Sequence, residues 1–194
     1  SRHLKSRMEV GEILSNSSIK VICLRAAIII GTGSISYELL KSMVLHNRWI
    51  PFLKDFNNLC QCIAIRDVIK YLVGVLETPD LETRVYHIGG PDILAYKDMI
   101  LRMSGILDKK VRLFEVFWVP LPVSLLCKVY AFWLHFFVSV PVNIITLLLD
   151  SLKCDVVCHN YDIIKIIPFE PLGFDSAVKF ALEREKKSQV YSHW

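Results

Sequence analysis

Little in the composition points to a charged macromolecular partner or to a metal. The chain has 23 Lys and Arg residues against 19 Asp and Glu, and its basic residues form no stripe interleaved with aromatics. We therefore expect no nucleic-acid partner. Of the six cysteines, two form a C-x-C pair and two a C-x-x-x-C pair, and neither spacing is typical of a zinc site. We expect free thiols and no bound metal.

Residues for hydrolytic catalysis are also lacking. No Ser-His-Asp set, metal cluster or pair of carboxylates converges on one part of the predicted structure. The chain does not open with a secretory signal. We expect a cytoplasmic protein, with association with a membrane as the alternative.

Long apolar runs, in contrast, are abundant. Apolar residues make up 53% of the chain, and the mean hydropathy is +0.41. Residues 129–149 contain no Asp, Glu, Lys or Arg, a length that could cross a bilayer, which takes about 20 apolar residues. Pro141, His135 and Asn143 inside the run argue against a spanning helix. The pattern favours a buried or interfacial helix that lines an apolar pocket, with peripheral membrane contact as an alternative.

Strand and helix patterns alternate along the first half of the chain. Residues 21–30 are a nearly continuous apolar run, interrupted by Arg25 and typical of a parallel strand covered on both faces. Further predicted strands are 62–65 and 85–88, and the predicted helices are 3–14, 36–45, 68–77, 95–107 and 176–187. Residues 49–59 are predicted to be irregular. This order indicates an α/β fold with a partly parallel sheet.

Local signals define two corners of that fold. Asp67 is predicted to cap the helix over 68–77 by accepting hydrogen bonds from its first free N–H groups. Gly89 and Gly90 are predicted to form a sharp turn with positive φ. The helix residues predicted to face the core are Val68, Leu72, Val75 and Leu76.

Several short motifs, taken in order, carry a family resemblance. They are HLKSRMEVG from His3, LRAAIIIG from Leu24, IAIRDV from Ile63, YHIGGP from Tyr86, WLHFFVSVP from Trp133 and PLGF from Pro171. In this order they resemble the C-terminal half of extended or atypical short-chain dehydrogenase/reductases of the epimerase-like kind. Better-known relatives are the NmrA-like proteins and the nucleotide-binding accessory subunit of respiratory complex I.

The resemblance implies the C-terminal part of a Rossmann-like, mostly parallel sheet joined to a mainly helical, apolar substrate subdomain. Residues 1–110 would belong to the NAD(P)-binding domain, with 31–60 contributing to the substrate side. Residues 111–194 would form the substrate subdomain, with an apolar segment at 116–149. The glycine-rich cofactor turn is absent, so we expect a fragment whose partner is its own missing N-terminal half.

The resemblance also implies NAD or NADP as cofactor. Enzymes of this superfamily place Tyr-x-x-x-Lys on the helix before the sixth strand, and the matching positions here are His3 and Arg7. Histidine exchanges protons near neutral pH, whereas arginine binds ribose or phosphate oxygens but stays charged. His3 and Arg7 are thus the candidate catalytic residues, with Arg7 also a candidate cofactor contact. The residues matching the backbone beside the nicotinamide are Ala26, Ala27 and Ile28.

Five residues are candidate substrate contacts: Arg25, Trp49, Phe52, Tyr130 and Trp133. Trp49 and Phe52, with Pro51 between them, follow the helix over 36–45, and the resemblance implies that this region borders the substrate. Tyr130 and Trp133 lie in the apolar segment and suit a small apolar substrate such as an isoprenoid, a quinone or a lipid-like molecule, although packing between helices would also explain them. Arg25 could instead bridge carbonyls and a carboxylate inside the fold. The sequence therefore predicts an NAD(P)-binding oxidoreductase or epimerase-like protein that acts on a bulky apolar substrate. The alternative is a non-catalytic NAD(P)H-binding assembly or regulatory protein, with membrane association as a further possibility.

Overall fold

The computed structural model describes residues 2–52, 57–116, 123–138 and 140–187, with side chains except at 2–4, 123, 124 and 126. Helices and short strands alternate through these ranges. The helices are α1 (Arg2–Ser15), α2 (Ile35–His46), α3 (Ile65–Glu77), α4 (Tyr96–Ile106), α5 (Val123–His135), α6 (Val142–Ser151), α7 (Asp162–Ile166) and α8 (Phe174–Lys186). The strands are β1 (Cys23–Ala26), β2 (Ile29–Ile30), β3 (Trp49–Phe52), β4 (Leu59–Gln61), β5 (Ile63–Ala64), β6 (Val85–Ile88), β7 (Ile93–Ala95) and β8 (Arg112–Glu115).

The strands pair two by two, mostly in parallel. β1 pairs with β6, β2 with β5 and β3 with β8, all parallel, whereas β4 and β7 are antiparallel. Parallel strands need a crossover between them, and helices lie in these crossovers, as α2 does between the paired strands β2 and β5. The predicted α/β fold with a partly parallel sheet is confirmed.

The core consists of two main clusters of buried side chains. The larger one joins α2, α4 and α8 to the helical pair α5 and α6, and includes Tyr37, Met99, Ala131 and Ile145. The smaller one lies between β1, β6, α3 and α7. Its buried members are Ile63, Tyr71, Leu81, Tyr86, Ile88 and Ile163.

The apolar run 21–30 is less regular than predicted. It forms two short strands, β1 and β2, and Arg25 in β1 is exposed. Residues 49–52, predicted to be irregular, form β3 because they pair with β8 some sixty residues further along the chain. Pairing at that separation leaves no local signal in the sequence.

The uncharged segment 129–149 is divided between two helices. α5 ends at His135 and α6 begins at Val142, directly after Pro141, whose ring is compatible with the start of a helix. The His135 Nδ1 donates to the Val140 carbonyl at 2.8 Å in the connection. Within the described ranges, no helix has the length and apolar character needed to cross a membrane.

The corner before α3 differs from the sequence prediction. α3 begins at Ile65, so Asp67 is its third residue and not its cap. Its carboxylate is fully buried and accepts the Leu172 N–H at 2.7 Å, which ties α3 to the segment before α8. Leu72 and Leu76, predicted to face the core, are exposed by 51% and 83%. The predicted inward face of this helix was therefore wrong for these two residues.

Glycine is required at position 90 because the backbone packs closely there, and not because the position has an unusual φ. In the described part of the chain, Gly33 is the glycine with positive φ, so the predicted positive φ at Gly89 and Gly90 was wrong. A Cβ on Gly90 would lie 2.6 Å from the Cys62 carbonyl oxygen, which also accepts the Gly90 N–H at 2.7 Å. Only glycine permits the backbone of this turn to approach Cys62, between β4 and β5, so closely.

Candidate functional site

A cavity of about 410 Å³ opens between the β3–β8 pair and helix α5. We call this cavity the aromatic pocket. Its lining residues are Trp49, Pro51, Phe114, Val116, Val129, Tyr130 and Trp133. Its volume lies in the range of known small-molecule sites, roughly 300 to 1,000 Å³. The structure thus provides space for a ligand beside the short parallel sheet.

Strand alternation explains why β3 contributes to this pocket. Successive side chains of a strand point to opposite faces. Ile50 and Phe52 are buried against the core, which turns Trp49 and Pro51 to the opposite face. Pro51 lies directly across from Phe114 of β8 in the parallel register.

Helix α5 provides the facing wall. Tyr130 and Trp133 are three residues apart, so both lie on the same side of the helix, and their ring centroids are 5.5 Å apart. Across the pocket, the Trp49 and Phe114 rings meet edge to face at 6.5 Å. These aromatic pairs hold the lining side chains in place.

The polar chemistry of the pocket is sparse. Within the described ranges, no lining residue carries a charge. Burial raises the pKa of Tyr130 well above its usual range, with a smaller contribution from Tyr96, so the hydroxyl stays neutral near pH 7. The Arg112 guanidinium lies 5.2 Å from the Trp49 ring centroid on the same face of the β3–β8 pair. This arrangement can hold an apolar body and one hydrogen-bonding group.

The five candidate substrate residues are distributed over three places. Trp49, Tyr130 and Trp133 lie together in the aromatic pocket. Phe52 is only 4% exposed and packs with Cys127 on the other face of β3. Arg25 lies on β1, outside the pocket lining. Phe114, Val116 and Val129 were missed, although the outward positions of β8 could have been found had its pairing with β3 been known.

The candidate cofactor residues follow one another at the end of β1. Ala26 is the last residue of β1, and Ala27 and Ile28 form the link to β2, all half-buried. The Ile28 carbonyl accepts the Ile63 N–H at 2.9 Å, which fixes this link beside β5. Arg7 is exposed on α1, and the side chain of His3 lies outside the part that the structure describes. Their assignment to cofactor binding or catalysis stays a prediction.

A group of basic side chains surrounds Arg25. His87 of β6 is its register partner, and the ring of His87 lies 5.7 Å from that of His159. Partial burial lowers the pKa of His87, and the positive charges of Arg25 and His159 lower it further. His159 was missed because only the folded connection between α6 and α7 brings it to β6. His87 itself is half-buried.

Comparison with known proteins shows which solved structures share this fold. No protein-family model matches the sequence, and no curated protein is significantly similar to it. Solved structures do match it. The NAD-dependent NDP-hexosamine 5,6-dehydratase TunA of tunicamycin biosynthesis is 14% identical with a TM-score of 0.59, over 92% of this chain and 50% of its own.

Two epimerases give similar values. UDP-glucuronic acid 4-epimerase from Bacillus cereus is 16% identical with a TM-score of 0.58, over 95% of this chain and 51% of its own. UDP-glucose 4-epimerase from Thermotoga maritima is 13% identical with a TM-score of 0.59, over 96% and 52%. The chain spans about half the length of these structures. It has the Rossmann-like fold of NAD-dependent epimerases and dehydratases, of which it matches the carboxyl-terminal half.

Proposed function

We propose that the chain is the substrate-binding half of an NAD(P)-binding, epimerase-like oxidoreductase that takes a bulky apolar substrate. The observation that carries the substrate class is the aromatic pocket. Every lining residue in the described ranges is apolar or aromatic, and the hydroxyl of Tyr130 is neutral near pH 7. An isoprenoid, quinone or lipid-like molecule fits such a surface.

The pocket differs from what a nucleotide sugar needs. Two of the similar structures are described as complexes with UDP-glucuronic acid or UDP-glucose. A diphosphate is normally bound by Arg, Lys or backbone N–H groups. Arg112 is a cation beside the pocket, and its guanidinium already lies over Trp49. The lining therefore favours an uncharged substrate.

The residues at the end of β1 are compatible with a nicotinamide cofactor. Ala26 and Ala27 have side chains small enough to leave the backbone accessible, and Arg7 is an exposed cation able to bind a ribose or phosphate oxygen. NAD(P) bound there would supply hydride transfer. A glycine turn at a helix N-terminus, which holds the pyrophosphate in such folds, would have to come from additional chain.

Binding of a short-chain ubiquinone analogue to the full-length protein tests the substrate class. We expect Trp133→Ala to weaken binding by about tenfold, the equivalent of one lost aromatic contact of ~1.4 kcal/mol. Phe132→Ala is the matched control, because Phe132 is its neighbour on α5, is 57% exposed and lies outside the pocket lining. Equal affinities for the wild type and both variants would contradict the proposal, as would tight binding of UDP-glucose without binding of the quinone.

A non-catalytic NAD(P)H-binding protein is the second candidate. The observation in its favour is the pair His3 and Arg7 where the resembling enzymes have Tyr and Lys, since an arginine stays charged and cannot exchange protons near neutral pH. Full-length protein purified with bound NADPH would separate the two candidates. Oxidation of the bound NADPH on addition of the quinone supports the enzyme, whereas bound but inert cofactor supports the second candidate.

A further inference from the structure

Helix α3 is apolar on its outer side. Five of its aliphatic side chains, here called the α3 stripe, are Ile65 (44% exposed), Ile69 (52%), Leu72 (51%), Val73 (45%) and Leu76 (83%). Their spacing of three and four residues places them in one line along the helix. A contiguous exposed apolar surface of this kind usually marks a docking site.

Apart from Ile65, whose side chain packs over Gly31, the stripe points away from the rest of the fold. Asp67 and Tyr71 are fully buried, and a Cβ on Gly74 would lie 2.6 Å from Ile167 Cγ2, so these positions define the inner side of α3. At about 100° per residue, the centre of the stripe lies roughly 180° from that inner side.

The ends of α3 carry opposite charges on the same flank. Arg66 is next to the first residue of the stripe and Glu77 is next to the last. At about 100° per residue, the two side chains project within roughly 20° of each other around the helix. Among the ion pairs of the described residues, neither Arg66 nor Glu77 takes part.

We propose that the α3 stripe binds the α3 stripe of a second copy of this chain, with the two helices antiparallel about a twofold axis. This orientation places Ile65 of one copy opposite Leu76 of the other, and Ile69 opposite Leu72. It also brings Arg66 of one copy beside Glu77 of the other, at both ends of the contact. The same twofold axis therefore brings together both the apolar side chains of the stripe and the opposite charges at the ends of α3.

Other charged groups near the stripe do not oppose this pairing. Lys70 is on the same flank as Arg66, but its ammonium lies 3.1 Å from the Asp67 carboxylate and 4.5 Å from the Phe169 ring centroid. On α8, Phe180 is 45% exposed, and its ring lies 5.6 Å from the Arg66 guanidinium. Phe180 thus extends the apolar surface beside the stripe.

The size of the contact sets its expected strength. From Ile65 to Leu76 the stripe is about 17 Å long, or roughly three helical turns. One helix of this length buries less than the ~800 Å² per partner of a standard interface. We therefore expect a dimer that dissociates on dilution, at roughly micromolar concentrations.

Sedimentation velocity of the full-length protein over a range of concentrations tests the proposal. We expect Leu72→Glu to abolish the concentration-dependent dimer. Leu101→Glu is the matched control, because Leu101 is an exposed leucine (46%) on α4, outside the stripe. Far-ultraviolet circular dichroism of each variant confirms that it is folded.

Charge reversal is the more specific test. We expect Arg66→Glu and Glu77→Arg each to weaken dimerisation by about tenfold, because both symmetric pairs become repulsive. The double variant R66E/E77R should restore the dimer, since the antiparallel pairing is preserved with the signs exchanged. A wild type that is monomeric throughout, a dimer that survives Leu72→Glu, or a double variant no better than the singles would overturn the proposal. Loss of binding to phosphatidylcholine–phosphatidylglycerol vesicles in Leu72→Glu, with dimerisation unchanged, would assign the stripe to a lipid surface instead.

Discussion

Replacement of Asp67 by alanine is expected to destabilise the fold, because Asp67 is the one buried acidic side chain among the residues that the structure describes. Asp67 is fully buried, accepts the Leu172 N–H at 2.7 Å and contacts the Lys70 ammonium at 3.1 Å. The variant leaves the Leu172 N–H and the Lys70 ammonium without their acceptor. It should therefore loosen the attachment of α8 to the corner before α3.

The expected cost follows from these contacts. A hydrogen bond to a charged group contributes about 1.5–3 kcal/mol to stability. The ion pair with Lys70 adds less than ~1 kcal/mol, because the lysine side chain is 39% exposed and screened by water. A carboxylate in the first turn of a helix contributes a further ~0.3–1 kcal/mol through the helix dipole. We expect Asp67→Ala to lower the free energy of unfolding by about 2–4 kcal/mol.

Urea denaturation followed by circular dichroism measures this loss, provided that the slope of the transition stays unchanged. Asp98→Ala is the matched control. Asp98 is also the third residue of its helix, α4, where the sequence A-Y-K-D resembles A-I-R-D at Asp67, so its carboxylate interacts with the helix dipole in the same way. Among the hydrogen bonds of the described residues, however, none joins Asp98 to a distant backbone group, as one joins Asp67 to Leu172. Asp67→Asn keeps an acceptor oxygen and should lose about half as much as Asp67→Ala. A loss in Asp67→Ala no larger than in Asp98→Ala would refute the role assigned to the Leu172 contact.

Three further outcomes are expected. Gly90→Ala should destabilise by about 2–4 kcal/mol in the same assay, because the new methyl group meets the Cys62 carbonyl and the backbone must move; a change within ~0.5 kcal/mol would contradict the close approach. Tyr71→Phe should be neutral or stabilising, since the Tyr71 hydroxyl is buried without a hydrogen-bond partner in the described structure and its burial raises the pKa of that group to about 12; a clear loss of stability would reveal a partner. The pKa of His87 is lower in the folded protein than in the unfolded chain, so protonation of this histidine favours unfolding. Its neutral form therefore contributes fully to stability above the unfolded pKa of about 6.5, and this contribution is lost as the pH falls through the folded pKa. Arg25→Gln should raise the pKa of His87 in an NMR titration, and an unchanged titration would remove Arg25 from its surroundings.

Local patterns in the sequence were sufficient for five of the eight helices that the structure describes and for some of its strands. The helix at 3–14 is observed as Arg2–Ser15 and the one at 36–45 as Ile35–His46. The strand at 85–88 is observed at the same residues. These segments are specified by amphipathic periodicity or by β-branched and aromatic composition, both of which act within a few residues. The order of strands and helices then indicated the α/β class.

Sequence reasoning also selected part of the candidate site. Trp49, Tyr130 and Trp133 are separated by up to 84 positions, and the structure places all three around one cavity. Phe52 was grouped with them because it belongs to the region after α2 that the resemblance places beside the substrate. The alternation of β3 sends Phe52 to the opposite face, and this alternation could not be applied to a segment predicted to be irregular.

What the sequence by itself determined was the position of most helices, the α/β class and the aromatic residues available for a pocket, because these depend on composition and short-range periodicity. Only the tertiary structure decided which residues meet. The parallel pairing of β3 with β8 created one wall of the pocket, and the packing of Asp67 and Tyr71 turned Leu72 and Leu76 outward. An apolar residue on a helix with two apolar sides can face either way, and long-range contacts alone select the side that is buried.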